Sequence, residues 1–239
     1  MKALVSRALK WLERTPLWLR AWWPGLVLIV LGVWGFVGVA EWVVEQDEVF
    51  LLDQPLVEWF QGVRTPAMTA FLTAVTNTFG PIILPIALLV GGVVWWRVTG
   101  AWWEPMLVLG GMALATLLAM TFKDLYDRAR PLDEFQTVPG VEHSFSFPSG
   151  HTSGAATLVL ITGYLAWRGD RHLRTLVGWA VAAVLLTVLV GGSRLYLGYH
   201  FLTDVLAGVC IAVVVLGVVV GVDRHRRAHV KARGRASAA

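Results

Sequence analysis

Three short groups of ionisable residues carry the chemistry that this 239-residue sequence offers. Written as patterns they are K-x6-R-P, P-S-G-H and S-R-x5-H-x3-D, and each lies near the end of an apolar segment. Their members are Lys123 with Arg130-Pro131, the segment 148–151, and Ser193-Arg194 with His200 and Asp204. Together they supply three cations, two imidazoles and one carboxylate, a set that can hold a phosphate and attack its phosphorus without a metal.

His200 and Asp204 form the candidate nucleophilic pair. They are four residues apart at the start of an apolar segment, so on a helix both face the same side. A carboxylate that accepts the Nδ1 proton fixes the tautomer and leaves Nε2 as a nucleophile. A lone interfacial histidine is usually a solvated edge residue, but Asp204 would then be an unexplained acid just inside an apolar segment.

His151 is the candidate general acid. It opens an apolar segment directly after Pro148-Ser149-Gly150, which predicts a tight turn followed by a helix. Free N–H groups at a helix start can point at a phosphate oxygen, and the Ser149 hydroxyl adds a donor. If His200 attacks phosphorus, His151 protonates the leaving oxygen, so His151 is charged while His200 is neutral.

The remaining motif residues are cations. Arg130 and Arg194 can bind phosphate bidentately, with Lys123 as a point charge. In the transition state these cations face the equatorial oxygens, where the charge must be held. Two neighbouring features are interpreted as non-catalytic: a local salt-bridge set and a histidine that matches no motif position. They are Asp124, Asp127 and Arg128, and His143.

Composition identifies the setting as a membrane. Hydrophobic residues make up 56% of the chain, charged residues 15%, and the mean hydropathy is +0.65. No linker or repeat divides the chain, so one membrane domain is predicted at 1–222, beginning with a basic amphipathic arm at 1–20, and a basic mobile tail at 223–239. The single Cys210 excludes an intrachain disulfide, and a packing role is expected for it.

Six segments are apolar and long enough to cross a membrane as helices. We therefore predict an all-α, polytopic membrane protein with six transmembrane helices. A shorter apolar stretch, Pro66 to Phe79, is predicted to be an interfacial helix. The six predicted spans are Pro24 to Val44, Gly80 to Trp96, Trp103 to Phe122, His151 to Trp167, Thr175 to Gly192 and Phe201 to Val222.

The charges of the loops predict the orientation. Lys and Arg concentrate in the N-terminal arm, in the loop 168–174 and in the tail, which predicts cytoplasmic N- and C-termini. The first outer loop is acidic, and the three motif groups then lie at the extracytoplasmic rim. A signal peptide cleaved after Ala40 is an alternative, but the apolar run before it is too long, so an uncleaved first span is favoured. The acidic residues of that loop are Glu45, Asp47, Glu48, Asp53 and Glu58.

The three motif groups resemble the signature of the type 2 phosphatidic acid phosphatase (PAP2) superfamily, and every signature position is filled. The resemblance implies that His200 forms a phosphohistidine, with Asp204 as its partner and His151 as the acid and later the base for water. It implies a phosphate cradle and no cofactor or metal. Soluble acid phosphatases and vanadate-dependent haloperoxidases share the motifs, but six spans favour the lipid phosphatase branch. The implied cradle residues are Lys123, Arg130, Ser149, Gly150 and Arg194.

The expected function is hydrolysis of a membrane lipid phosphate or diphosphate at the outer leaflet of a bacterial cell membrane. Undecaprenyl diphosphate is the first candidate, because the site faces outward, where that carrier is released. Phosphatidate, phosphatidylglycerophosphate and diacylglycerol pyrophosphate are alternatives. A non-enzymatic lipid transporter is a further alternative, but it predicts ionisable residues deep in the spans. Membrane lipids are the expected partners, and nucleic-acid binding by the basic tail is not expected.

Overall fold

The computed structural model describes residues 16–138, 142 and 144–236, and the regular structure within these ranges is helical. This confirms the all-α prediction, while most of the predicted amphipathic arm lies outside the described residues. Two 3-10 helices, Glu48–Leu52 and Asp133–Phe135, accompany the α-helices. The α-helices are α1 (Leu17–Glu45), α2 (Asp53–Gly62), α3 (Pro66–Thr78), α4 (Ile83–Thr99), α5 (Trp103–Tyr126), α6 (Gly150–Asp170), α7 (Leu173–Tyr196) and α8 (Leu202–Ala236).

Four of these helices, α1, α5, α7 and α8, are each long and apolar enough to cross a membrane. Helices α3 and α4 pass the same test as a pair, bent by 50° at the break between them. The described residues therefore contain four or five candidate spans, where six were predicted. Helix α6 forms where the fourth span was expected, but it packs against α5, α7 and α8, and its Thr152, Ser153 and Thr157 are buried. Because its neighbours shield it, this central helix can be less apolar than the others.

The short apolar stretch after Thr65 is helical, as predicted. The Thr65 side chain accepts a hydrogen bond from the backbone N–H of Met68 at 3.3 Å, and Pro66 occupies the first helical turn. Gly80 and Pro81 separate this helix from α4. Its interfacial position stays a prediction.

The last helix is longer than predicted. The sequence boundary at Val222 separates apolar from basic residues, but α8 continues through it to Ala236. The reason is Asp223, which is fully buried and has its charge and hydrogen-bonding capacity satisfied by neighbouring helices. It accepts hydrogen bonds from Trp103 at 2.9 Å, Tyr164 at 2.7 Å and Arg168 at 2.6 Å, and pairs with Arg227 at 3.1 Å.

An aromatic cluster fixes the chain just before α6. Phe147 is fully buried, with its ring centroid 5.6 Å from that of Phe36 and 5.0 Å from that of Tyr126. Phe36 and Phe122 lie 4.4 Å apart in the same cluster. These contacts anchor the segment that leads into the P-S-G-H group.

Helices α5 to α8 alternate in direction, so the ends of α5 and α7 lie beside the starts of α6 and α8. The turn between α7 and α8 contains Gly198, whose φ of 76° is a conformation that side chains disfavour. Its backbone also lies so close to the carbonyl of Phe135 that a Cβ would overlap it. This turn places Tyr199 and His200 next to the first motif group.

Candidate active site

The fold brings the three motif groups together at one end of the helix bundle. Lys123 lies in the last turn of α5, Arg194 in the last turn of α7, and His151 in the first turn of α6. Arg130 lies in the loop after α5, and His200 lies two residues before the start of α8. Residues separated by up to 77 positions in the sequence thus line two adjoining cavities.

His200 and Asp204 make the contact that their spacing predicts. Nδ1 of His200 lies 3.1 Å from Oδ2 of Asp204, and both side chains are almost completely buried. Nε2 lies 3.2 Å from the Nη1 nitrogen of Arg130. Since a guanidinium only donates, the matching tautomer has its proton on Nδ1 and a lone pair on Nε2. The nucleophilic nitrogen therefore points toward a cation.

Burial lowers the pKa of His200 well below its usual range, and the charges of Arg130 and Arg194 lower it further. The imidazole is consequently neutral at physiological pH. A neutral imidazole is the form that has a lone pair on Nε2. The environment of His200 therefore favours nucleophilic attack over proton donation.

The Asp204 carboxylate accepts hydrogen bonds from three groups besides His200. It accepts hydrogen bonds from the Ser146 hydroxyl and from the backbone N–H of Phe201, the latter at 2.9 Å. Arg128 donates to its other oxygen at 2.7 Å. The backbone carbonyl of Asp204 accepts from the N–H of Ser149 at 3.0 Å, which ties the second motif group to the third.

Arg128 corrects one sequence-based interpretation. It does not belong to a local salt-bridge set with Asp124 and Asp127, because its guanidinium bridges Asp53 and Asp204 at 2.7 Å each. Asp53 is 2% exposed and also accepts from the backbone N–H of Thr203 at 3.0 Å. The start of α2 thus supplies a buried carboxylate that orients Arg128, which in turn supports the pair His200 and Asp204.

Substitution of Arg128 by glutamine is expected to lower the free energy of unfolding by about 3 kcal/mol, because two buried carboxylates would lose their counter-charge. Thermal unfolding of the purified protein measures this effect. Arg97→Gln, at an exposed position of α4, is the matched control and should leave the unfolding midpoint unchanged. Equal midpoints for both variants would contradict a supporting role for Arg128.

Arg130 and Arg194 converge on one carboxylate, that of Glu142. Arg194 donates to Oε1, and Arg130 donates to Oε2 at 3.2 Å. Burial alone would raise the pKa of Glu142, but Arg194 and Arg130 hold it at about 2, so the carboxylate is ionised. The two guanidinium groups are therefore spaced to share a small oxyanion between them, next to Nε2 of His200.

Other contacts orient these cations. Nη1 of Arg194 donates to the Thr76 hydroxyl at 2.8 Å, and its guanidinium carbon lies 4.7 Å from the centroid of the Tyr199 ring. Arg130 donates to the carbonyls of Ser144 and Tyr199, both at 2.7 Å. Each guanidinium is thus also held in place by contacts other than the one with the Glu142 carboxylate.

The third cation, Lys123, bonds to backbone carbonyls rather than to the Glu142 carboxylate. Its Nζ donates to the carbonyls of Phe145 and Ser146, the latter at 3.4 Å, and the side chain is 9% exposed. It lines the same cavity as Arg130, His151 and His200. Lys123 therefore adds positive charge to the cavity and also supports the loop before α6.

Ser149 caps helix α6, whereas the next two residues of the helix line the cavity. The Ser149 side chain is fully buried and caps α6, accepting from the N–H of Thr152 at 3.4 Å and lying 3.0 Å from its hydroxyl. Gly150 and His151 line the cavity, and as first helical residues their N–H groups have no partner within the helix. At this position the donors available to an oxyanion in the cavity are therefore backbone N–H groups, and Ser149 fixes the turn that presents them.

The cavity has a polar end and an apolar end. It has a volume of about 230 Å³, and its polar end contains Arg130, Glu142, His151 and His200. A second cavity of about 590 Å³ adjoins it through His151 and Glu142 and includes Arg194. Apolar side chains of α4 and α5 line the other end of the first cavity: Leu84, Pro85, Met112, Ala119 and Met120.

Sequence patterns missed four residues of the site, namely Asp53, Arg128, Ser146 and Glu142. Their partners lie 12 to 150 positions away in the chain, so no local helical spacing reveals the contacts. Two signals were available in the sequence. Asp53 is an acid in the predicted first outer loop, and Arg128 lies next to the first motif group. His143 lies outside the described residues, so its omission from the site stays a prediction.

Comparison with known proteins finds similarity over the part of the chain that contains the motif groups. The model of the PAP2 superfamily matches residues 104–227, a range that includes all three motif groups. Phosphatidylglycerophosphatase B of Bacillus subtilis (strain 168) is 32% identical over 167 residues, which cover 67% of this chain and 78% of that protein. The lipid A 4'-phosphatase of Porphyromonas gingivalis is 26% identical over 181 residues, covering 71% and 72% respectively.

Solved structures also include a similar PAP2 type phosphatase. The crystal structure of a transmembrane PAP2 type phosphatidylglycerolphosphate phosphatase from Bacillus subtilis has a TM-score of 0.67 and 27% identity, covering 83% of this chain and 95% of that one. The structure of Aquifex aeolicus LpxE is similar in fold, with a TM-score of 0.55, 22% identity, and coverage of 71% and 94%. With the matched family model, the motif geometry and the apolar helices in agreement, the chain belongs to the PAP2 superfamily and is a multi-pass membrane protein.

Proposed function

We propose that this protein removes phosphate from a membrane lipid through a phosphohistidine intermediate on His200. The observation that carries the proposal is the convergence of Arg130 and Arg194 on one oxyanion beside Nε2 of His200. Carboxylate and phosphate both present paired oxygens to guanidinium groups, so the position of the Glu142 carboxylate suits a phosphoryl group. Membership of a superfamily with lipid phosphatases supports the same reaction class.

In the first step, Nε2 of His200 attacks phosphorus while the bond from phosphorus to the leaving oxygen breaks. His151 gives its proton to that oxygen, so the lipid product leaves as an alcohol or a protonated phosphate. Asp204 accepts the Nδ1 proton in a hydrogen bond and stabilises the positive charge that develops on the ring. Arg130, Arg194 and the N–H groups at the start of α6 hold the equatorial oxygens.

In the second step, neutral His151 takes a proton from a water molecule. The water oxygen forms a bond to phosphorus as the bond from phosphorus to Nε2 breaks. Inorganic phosphate leaves, and both imidazoles return to their starting forms. Each step thus uses one histidine as nucleophile or leaving group and the other for proton transfer.

The shape of the cavity supports a lipid substrate. Its polar end lies at the cations, while Leu84, Met112 and Met120 of α4 and α5 line its apolar end. A chain of methylene or isoprene groups can lie against these side chains with the phosphate at His200. Such contacts are non-directional, so they select for an apolar chain rather than for one headgroup.

We place six spans in the bilayer, formed by α1, α4, α5, α6, α7 and α8, with α3 at the membrane interface, both termini in the cytoplasm and the active site at the outer face of a bacterial cell membrane. In a Cys210→Ala background, Leu132→Cys beside the first motif should react with an impermeant maleimide on intact cells, because Leu132 is 64% exposed in the loop after α5. Ala232→Cys, exposed near the end of α8, should not react. The reverse labelling pattern would overturn this orientation.

Undecaprenyl diphosphate is the proposed physiological substrate. The outward-facing site meets the leaflet where that carrier is released, and a diphosphate gives the cations more charge and a better leaving group than a monoester. The name of the relative phosphatidylglycerophosphatase B favours phosphatidylglycerophosphate as the second candidate.

Phosphate release by the purified protein across a panel of lipids tests this choice. We expect kcat/KM for the polyprenyl diphosphate to exceed that for phosphatidylglycerophosphate and phosphatidate by at least about tenfold, or roughly 1.4 kcal/mol. Expression should raise bacitracin tolerance, because that drug sequesters the diphosphate. Activity should persist in EDTA, since the proposed steps use only side chains and water.

A higher kcat/KM for phosphatidylglycerophosphate, with unchanged bacitracin tolerance, would assign the protein to glycerophospholipid metabolism instead. Release from none of the lipids would contradict the proposed reaction. Strict dependence on a divalent metal would contradict the proposed mechanism while leaving the substrate class intact.

A further inference from the structure

A second cavity lies at the other end of the helix bundle, between α1, α6, α7 and α8. It has a volume of about 480 Å³, and its walls are almost entirely apolar. At 1.5 Å per residue along α6, its wall from Val159 to Trp167 lies about 12 to 24 Å from His151 of the active site. Representative wall residues are Trp23, Leu28, Leu160, Trp179, Ala183 and Leu216.

Two arginines make one part of this groove strongly positive. Arg171 ends α6, and its guanidinium carbon lies 4.5 Å from the centroid of the Trp167 ring. Arg224 of α8 donates from Nε to the carbonyl of Ala21 at 2.9 Å, which fixes its guanidinium near the start of α1. Within the described part of the chain, neither arginine forms an ion pair with a carboxylate, whereas the nearby Arg168 has two such pairs.

The dimensions suit one hydrocarbon chain. A group the size of a water molecule occupies about 30 Å³, so the groove has room for about 16 such groups, close to the length of one acyl chain. A fatty-acyl chain would cover the tryptophan and leucine walls, and its headgroup would then lie at the arginines. Charge complementarity requires that this headgroup be an anion.

We propose that this groove binds one anionic phospholipid of the bilayer, with an acyl chain between α1 and α7 and its phosphodiester between Arg171 and Arg224. The site is separate from the active site and goes beyond the proposed reaction. In the orientation proposed above, the lipid belongs to the cytoplasmic leaflet. Bound there, it joins α1 to α7, so it stabilises the folded bundle.

Lipid-dependent thermal stability of the full-length protein in detergent tests this proposal. Adding phosphatidylglycerol should raise the unfolding midpoint by about 3 °C or more, while phosphatidylcholine with the same acyl chains should not. Arg171→Gln combined with Arg224→Gln should abolish the increase. Arg174→Gln, at an exposed position outside the groove, is the matched control and should retain it.

A second pair of variants tests the groove independently of charge. Ala183→Phe should fill the apolar part and remove the response to phosphatidylglycerol, whereas Val184→Phe, at the next and 63% exposed position, should keep it. Phosphate release in detergent should be the same in all these variants, because none touches the active site. Native mass spectrometry should detect one retained phosphatidylglycerol per chain in the wild type and none in Ala183→Phe.

An equal response to phosphatidylcholine would overturn the assignment to anionic lipid. An undiminished response in the double arginine variant or in Ala183→Phe would overturn the location. Loss of a dimer in Ala183→Phe, without any lipid response in the wild type, would identify the groove as an interface between two copies of the chain and would also overturn the proposal.

Discussion

Replacement of His200 by asparagine is expected to reduce phosphate release by about 10⁴-fold or more, which corresponds to roughly 5.4 kcal/mol of activation free energy. Asparagine can preserve a hydrogen bond to Asp204 but has no nucleophilic nitrogen. Initial rates with a lipid phosphate in detergent measure the loss. The proposed route through a covalent intermediate is then unavailable, and only direct attack by water remains.

His172→Asn is the matched control, because His172 is an exposed histidine between α6 and α7 and lies far from the cavity. It should retain the wild-type rate. The unfolding midpoint of His200→Asn establishes that the variant is folded, since His200 is buried against Asp204. A folded His200→Asn protein with activity within tenfold of the wild type would contradict nucleophilic catalysis by this residue.

The second large effect is expected at His151. Substitution by asparagine should lower turnover of a lipid phosphate by about 10²- to 10⁴-fold, because the leaving alkoxide would no longer receive a proton. An aryl phosphate with an acidic phenol as leaving group does not need that proton. With such a substrate, the first step should be nearly normal, while the second step, which needs a base for water, stays slow.

Rapid-quench kinetics separates these two steps. His151→Asn should release about one equivalent of phenol per active site in a burst, followed by slow turnover. The wild-type protein should show a smaller burst or none. Equal slowing of leaving-group release from the lipid phosphate and from the aryl phosphate, with no burst of phenol, would show that His151 acts in some way other than proton transfer.

The sequence predicted the contact between His200 and Asp204 because it depends on local spacing. His200 and Asp204 are four residues apart across the start of α8, and this short spacing brings their side chains into contact. The cap at Ser149 and the helix beginning at Gly150 follow similarly from local residue types. Predictions of this kind need no knowledge of how distant segments pack.

The residues that the sequence missed act across the fold. Arg128 was read with its neighbours Asp124 and Asp127, but its carboxylate partners come from positions 53 and 204. Glu142 lies in a loop without a motif, and its contact with Arg194 depends on the end of α7 lying beside that loop. Such pairings are decided by tertiary packing, which local patterns do not encode.

Polarity explains why hydropathy alone underestimates α6 as a span and ends α8 too early. Helix α6 is only moderately apolar because neighbouring helices cover it, so hydropathy alone ranks it below the lipid-facing spans. The basic residues after Val222 were interpreted as a tail, but buried Asp223 binds Trp103, Tyr164 and Arg168 and continues α8. In both places a polar residue finds its partner inside the protein rather than in water.

Direct detection of the phosphoenzyme tests the central claim most sharply. His151→Asn protein should be mixed with an aryl phosphate, quenched in alkali within the burst, digested and analysed by mass spectrometry, because a phosphohistidine survives alkali but not acid. We predict one phosphoryl group on the peptide that contains His200, and none when His200→Asn is introduced as well. A phosphoryl group on a different residue, or one that persists in the double variant, would contradict the account.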